Sequence, residues 1–257
     1  MKTTHIPTAV LNELTFTGEQ STGSSGLAVK RLQEWLCYHD CSTPIDSDFG
    51  PATQAALKNF QLAKAFDPTG ILTEETWNIL VSPMASALSD GVGQNLGDRV
   101  GSIAANHLAV HPREFGGDNC GPWVRIYTGG HEGAKWKWCA GFASFVVHQA
   151  ADELEVPSPI RGSLSCDELA TQAKDAGRFV QGSGLFVNSD RKLQLGNSFI
   201  FLIRESANDW SHAGLGFSLT GQVFSTIEGN TNDVGSAEGY EVCARTRSVS
   251  KADFIGL

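Results

Sequence analysis

Long hydrophobic runs are missing from this chain of 257 residues. Nowhere do the roughly 18 consecutive apolar residues of a membrane-spanning helix occur, so the sequence argues against membrane insertion. Met1 to Gln20 contains Lys2 but lacks the apolar core of about seven residues that a Sec-type signal needs. The expectation is synthesis in the cytoplasm, with another route out for any work beyond it. Basic residues are also scarce. The 19 Lys and Arg are outnumbered by 28 Asp and Glu, and a net charge of -9 argues against a general nucleic-acid binder, because phosphate contacts need surplus cations. Six cysteines, at 37, 41, 120, 139, 166 and 243, are too few for a disulfide scaffold in a chain of this size. Cys37 and Cys41 lie at i, i+4, without a second pair or a His cluster at zinc-ligand spacing, so no metal is expected. Their thiols are expected reduced before any export, with a Cys37–Cys41 bridge open to them after it.

What is present is a globular composition, 41% hydrophobic and 18% charged, with length for one large domain or two smaller ones. Residues 1–23 show no periodicity, end in Ser, Thr and Gly, and read as a leader. From Leu27 the pattern turns helical: Leu27, Val29, Leu32, Trp35 and Leu36 face one way, with Lys30, Arg31, Gln33 and Glu34 between them. Gly50-Pro51 opens a second helix, running to about Ala65. After the turn residues Asp67-Pro68-Thr69-Gly70, Thr73 caps a third, with Glu74 and Glu75 in its first turn. Leu27-x-Val29-x-x-Leu32-Gln33, Asp48-Phe49-Gly50-Pro51-x-Thr53-x-x-Ala56-Leu57-x-x-Phe60-Gln61 and Asp67-x-x-Gly70-x-Leu72-x-x-x-Thr76-Trp77 closely resemble the peptidoglycan-binding domain of cell-wall hydrolases. The resemblance implies a three-helix domain over residues 24–82 with peptidoglycan as its partner.

Residues 83–97, rich in small and polar side chains, read as a linker. A helix is expected from about Val100 to Leu108, stopping before His111-Pro112. Gly116-Gly117-Asp118-Asn119-Cys120-Gly121-Pro122-Trp123 is a turn-dense loop of the kind that lines sites. Asn119, Gly121 and Trp123, with Trp138, are therefore candidate substrate contacts. Cys139 opens a run with apolar residues at helical spacing, which places its sulfur at a helix N-terminus, where unpaired amides favour a thiolate. Ser165 or Asp167 caps another helix, to about Ala176. Beyond it come short β-forming runs at Phe199–Ile203, Ala213–Phe217, Gln222–Ile227 and Glu241–Arg245. Helices first and an antiparallel sheet second give an α+β layout for residues 98–257.

A cysteine nucleophile needs a base and a group to orient that base. If the second and third runs form a hairpin about Thr220, His212 and Glu228 lie opposite each other. Trp138-Cys139-Ala140-Gly141-Phe142, Ser211-His212-Ala213-Gly214 and Ile227-Glu228-Gly229-Asn230, in that order, resemble the cysteine/histidine-dependent amidohydrolase/peptidase family, which has a papain-like fold. Leu195-Gly196-Asn197-Ser198 departs from that family's usual Pro-Gly-Asp turn. The resemblance implies Cys139 as nucleophile, His212 as base and later acid, and Glu228 as orienter. Asn230 is left as a fourth member or an alternative orienter. The Cys139 amide would contribute to an oxyanion hole.

These readings combine into a two-domain peptidoglycan hydrolase that cuts an amide bond without a cofactor, as an amidase at the lactyl–L-alanine bond or an endopeptidase in the stem or cross-bridge. It would act at the wall or periplasm after phage-type lysis or delivery by a secretion machine. As an effector it would need an immunity protein. Two rivals remain: a catalytically inactive wall-binding protein, and a toxin that modifies protein side chains by deamidation or transglutamination.

Overall fold

The computed structural model describes residues 6–185, 193–232 and 239–257. Its helices, in chain order, are α1 (Thr8–Leu14), α2 (Leu27–Tyr38), α3 (Pro51–Ala63), α4 (Glu74–Leu80), α5 (Ser82–Ala87), α6 (Leu96–Ala109), α7 (Pro122–Tyr127), α8 (Cys139–Leu154) and α9 (Cys166–Asp175). The strands are β1 (Phe179–Val180), β2 (Ser198–Ser206), β3 (Asp209–Thr220), β4 (Val223–Thr231), β5 (Glu241–Ser248) and β6 (Ala252–Gly256). The chain divides into a helical unit, Pro7–Ser86 with Arg113–Ala134, and an α+β unit that includes Ala87–Pro112 and Lys135–Leu257. Among the described residues no helix is long and apolar enough to cross a membrane.

Two glutamines of the helical unit show why its motif spacing matters. Gln33, fully buried on α2, donates from Nε2 to Asp46 Oδ1 (2.8 Å), Asp48 O and Thr53 Oγ1 (both 3.0 Å), and its Oε1 accepts from the amides of Asp46 and Ser47. Gln61, on α3, likewise accepts from Gly70 N at 2.9 Å and donates to Ile71 O at 3.0 Å. Each side chain pairs with backbone groups of the loop that follows its helix, groups that would be costly to bury unpaired. Gly70, with φ 69°, supplies the left-handed turn there.

The first residues do more than lead in. The α1 helix buries Ala9 and Val10, and its Glu13 forms a two-bonded pair with Arg125 of α7, at 2.8 and 2.9 Å. Arg125 also bonds Glu34 at 2.6 and 3.1 Å and Glu132 at 2.6 Å. A seven-residue helix shows too little periodicity to be read from sequence, and its anchor, a buried ion pair, has no local signature. Residues 113–134, grouped above with the downstream domain, belong to the helical unit. Residues 83–97 include the end of α5, and the stretch after it is pinned: Gly91 N donates to Glu153 Oε2 at 2.8 Å and Val92 N to Ser102 Oγ at 2.9 Å.

The α+β unit holds an antiparallel sheet in the order β1-β6-β2-β3-β4-β5. Phe199, Phe201, Phe224 and Phe254 form the centre of its core, with neighbouring rings meeting edge-on or tilted 5.3–5.6 Å apart. β1 and β6 were not expected from sequence, because two and five residues are too few to show an alternating pattern. Ser165, rather than Asp167, caps α9, its side chain accepting from Glu168 N at 3.2 Å.

Candidate active site

Cys139 is the first residue of α8, and Trp138 before it occupies the N-cap position without a side-chain cap. The amides of the first turn have no intrahelical acceptors, so the buried sulfur lies at the positive end of a 16-residue helix. Gly229 lets β4 approach this turn closely: a Cβ there would fall 2.7 Å from both Phe142 Cβ and Trp138 Cζ3. Trp138 is wholly buried at this contact.

His212 on β3 and Glu228 on β4 are 1% and 0% exposed, and Nε2 of the imidazole donates to Oε2 of the carboxylate at 2.9 Å. The contact is diagonal. Leu215 pairs with Ile227 and Gly216 with Thr226, and a register shift lies between Phe217 and Thr220. Continuing the ladder puts Glu228 opposite Gly214, not opposite His212 as a turn centred on Thr220 had implied. Residues 212, 214 and 228 still share a face because side chains alternate along each strand. Gly214 keeps that diagonal open, since a Cβ on it would fall 3.0 Å from Glu228 Cγ and 2.7 Å from Phe201 Cε1.

Two residues that motif reading missed complete the carboxylate's shell. Arg247 on β5 grips Glu228 with two bonds, Nε to Oε1 at 2.8 Å and Nη2 to Oε2 at 2.6 Å, and Thr226 donates to Oε1 at 2.5 Å. Burial opposes ionisation of Glu228, but Arg247 and His212 outweigh it and hold the carboxyl at about 2. Burial likewise opposes the imidazolium, yet Cys139 and Glu228 together raise His212 to about 9. Cys139 is held well below the usual thiol range, chiefly by the Cys166 thiol, then against burial by His212 and the Ala213 amide. Nδ1 of His212 has no hydrogen-bond partner among the described residues and is the ring nitrogen left to face the sulfur that helps raise its pKa. The arrangement favours a thiolate–imidazolium pair.

The remaining candidates fall elsewhere. Asn230 is buried with φ 54°, and its Nδ2 has no hydrogen-bond partner among the described residues. Glu228, not Asn230, is bonded to His212 Nε2. Asn119, Gly121 and Trp123 lie in the helical unit. Trp123, a candidate substrate contact, is wholly buried against Trp35 and Tyr127 and fills the core of that unit. Asn119 donates from Nδ2 to Ala134 O at 3.2 Å, and Gly121 N donates to Glu132 Oε2 at 3.2 Å, so both serve their own loop. All six cysteines are free thiols, Cys37 and Cys41 included. Among the described residues no three His, Cys, Asp or Glu side chains gather as a metal site. A cleft of about 450 Å³ beside α9 and β1, lined by residues including Lys174, Phe179 and Gln194, shares no lining residue with the Cys139 group.

Comparison with known proteins places a peptidoglycan-binding domain in the N-terminal part of the chain: the family model described by that name matches residues 25–80. The zinc D-Ala-D-Ala carboxypeptidase of Streptomyces albus G is 40% identical over 67 residues, 25% of this chain and 26% of that protein. The chain thus spans about a quarter of the length of this curated relative. The crystal structure of SleB N-terminal domain is 31% identical, covering 26% of this chain and 93% of that one with a TM-score of 0.25.

Proposed function

We propose that the α+β unit is a cysteine-dependent peptidoglycan hydrolase of the papain-like, cysteine/histidine-dependent kind, cutting an amide bond at a wall to which the helical unit binds. The observation that carries this reading is the buried His212–Glu228 pair, at 2.9 Å, with a thiol of lowered pKa on the other side of the imidazole. The binding-domain match over residues 25–80 supports the choice of substrate.

In the proposed reaction the Cys139 thiolate attacks the carbonyl carbon of the scissile amide, and the carbonyl π electrons move onto oxygen. The free amides at the start of α8 receive that oxyanion. His212 gives its Nδ1 proton to the leaving nitrogen as the C–N bond breaks, which leaves a thioester on Cys139 and a free amine. Neutral His212 then takes a proton from water, whose oxygen attacks the thioester and releases a carboxylic acid. Glu228 keeps Nε2 protonated and balances the imidazolium charge throughout. Thr226 and Arg247 hold the carboxylate in place. These steps use only side chains, backbone amides and water.

The test is chemical identification of the ends produced when the full-length protein digests purified sacculi. New pairs of carboxyl and amine termini in the soluble fragments support amide cleavage, and their position separates amidase from endopeptidase. Release of fragments bearing only new sugar reducing ends contradicts it.

A further inference from the structure

Cys166 has no part in the reaction above, yet it is buried and its thiol is electrostatically coupled to the nucleophile's sulfur. Its position is built rather than incidental. Cys166 is the first residue of α9, directly after the Ser165 cap. The next residue, Asp167, accepts from Trp210 N at 2.9 Å, which ties the start of α9 to β3 two residues before His212. The loop leading into α9 is fastened to α8, five residues beyond Cys139: Ser144 Oγ donates to Ser163 O at 3.3 Å and accepts from Ser163 N at 3.2 Å. Two helix starts, each opening on a buried cysteine, are therefore tied together, α9 to β3 and its leading loop to α8.

We propose that Cys139 and Cys166 form a peroxide-responsive pair, in which oxidation of the nucleophile is captured as a Cys139–Cys166 disulfide that switches hydrolysis off reversibly. The inference rests on Cys139 being an activated thiolate. That thiolate attacks one oxygen of hydrogen peroxide, the O–O bond breaks, and the leaving hydroxide takes up a proton to become water. Cys139 is now a sulfenic acid. The Cys166 sulfur then attacks the Cys139 sulfur, the S–O bond breaks, and the hydroxyl leaves with the Cys166 proton as a second water. Two thiols and one peroxide have become one disulfide and two waters.

The chemistry selects this pair. Cys41, Cys120 and Cys243 are all pushed up by burial and remain protonated, whereas Cys139 is held as the thiolate that peroxide attacks. Cys166 is itself raised, first by Cys139 and then by burial, so it stays a thiol while Cys139 is anionic. Oxidation of Cys139 to a neutral sulfenic acid removes that anion and frees Cys166 to attack. Without a resolving thiol, a sulfenic acid runs on to the irreversible sulfinic acid.

The experiment treats the reduced full-length protein with graded hydrogen peroxide and maps its peptides without reduction, alongside Cys166→Ser and Cys166→Ala. The wild type is expected to lose the mass of two hydrogens, to yield a Cys139–Cys166 cross-linked peptide, and to return to free thiols with dithiothreitol. Hydrolysis of sacculi should fall and recover in step. Both variants should gain two oxygens on Cys139 and recover nothing on reduction. A wild-type map with Cys139 as sulfinic acid and Cys166 still a free thiol, or with Cys139 linked to another cysteine, overturns the proposal whatever the variants do. A protein that forms the reversible cross-link but released no fragments before oxidation supports the thiol pair and overturns the hydrolase reading instead.

Discussion

Glu228 is satisfied on every side, by His212, Thr226 and both arms of Arg247, and this fixes what its removal should do. Glu228→Gln keeps the shape but removes the charge that helps raise His212. Turnover should fall by about 10²–10⁴-fold, the usual worth of a positioned acid–base group. The pH profile carries the sign. His212, at about 9, must be protonated to serve the leaving amine, so the wild-type rate should fall as pH rises through about 9. In Glu228→Gln that alkaline limb should move to lower pH, and an unmoved limb would contradict the assignment. Stability follows the same linkage: the imidazolium's contribution is whole below about 6.5, His212's ordinary value, and is lost as pH rises through about 9. Glu228's contribution is present above its ordinary 4.5 and is lost as pH falls toward about 2. Cys139, His212 and Glu228 were legible because each sits in a short motif with its neighbours. Cys166 and Arg247 were not: each meets the site only through tertiary packing, 27 residues from Cys139 and 19 from Glu228.

At the level of elements, glycine spacing does what the motifs alone left unexplained. Gly214 and Gly216 lie beneath the rings of Phe201 and Phe199, and Gly229 lies against α8. Gly214→Ala would press a methyl between Phe201 and Glu228. Overpacking of this kind costs about 1–3 kcal/mol, so a lower denaturation midpoint should accompany a larger loss of activity than that destabilisation explains. Hairpin register was read two residues out because Gly221 looked like part of a turn centred on Thr220, while the shift between Phe217 and Thr220 leaves no sequence mark. In the helical unit, Arg125→Ala would strip the two-bonded cation from buried Glu13 and Glu34 and leave each only a longer contact, to Arg31 at 3.3 Å and to Lys30 at 3.5 Å. Removing one partner of a buried pair costs about 3–5 kcal/mol, and urea unfolding of the full chain should show a midpoint lowered accordingly. The α2–α4 helices were legible through caps and periodicity. The short α1 was not, since its place depends on Arg125, 112 residues from Glu13 in the chain.

For the whole molecule, the proposed function assigns wall recognition and catalysis to different units of one chain, and the two should respond to mutation separately. Cys139→Ala should still sediment with purified sacculi, because residues 25–80 are untouched. Toxicity, if the protein attacks a wall, should appear on directing it to the periplasm and be absent on cytoplasmic expression. Toxicity confined to the cytoplasm would point to an intracellular protein target instead. The central claim is that the Cys139 sulfur makes the first bond to the substrate, and side-by-side digestion of sacculi by wild type and Cys139→Ala, with soluble fragments quantified by mass, tests it most directly. Fragments with new amine termini are expected from the wild type and a rate lower by about 10⁴-fold or more from the variant; equal release by both would contradict that role for Cys139.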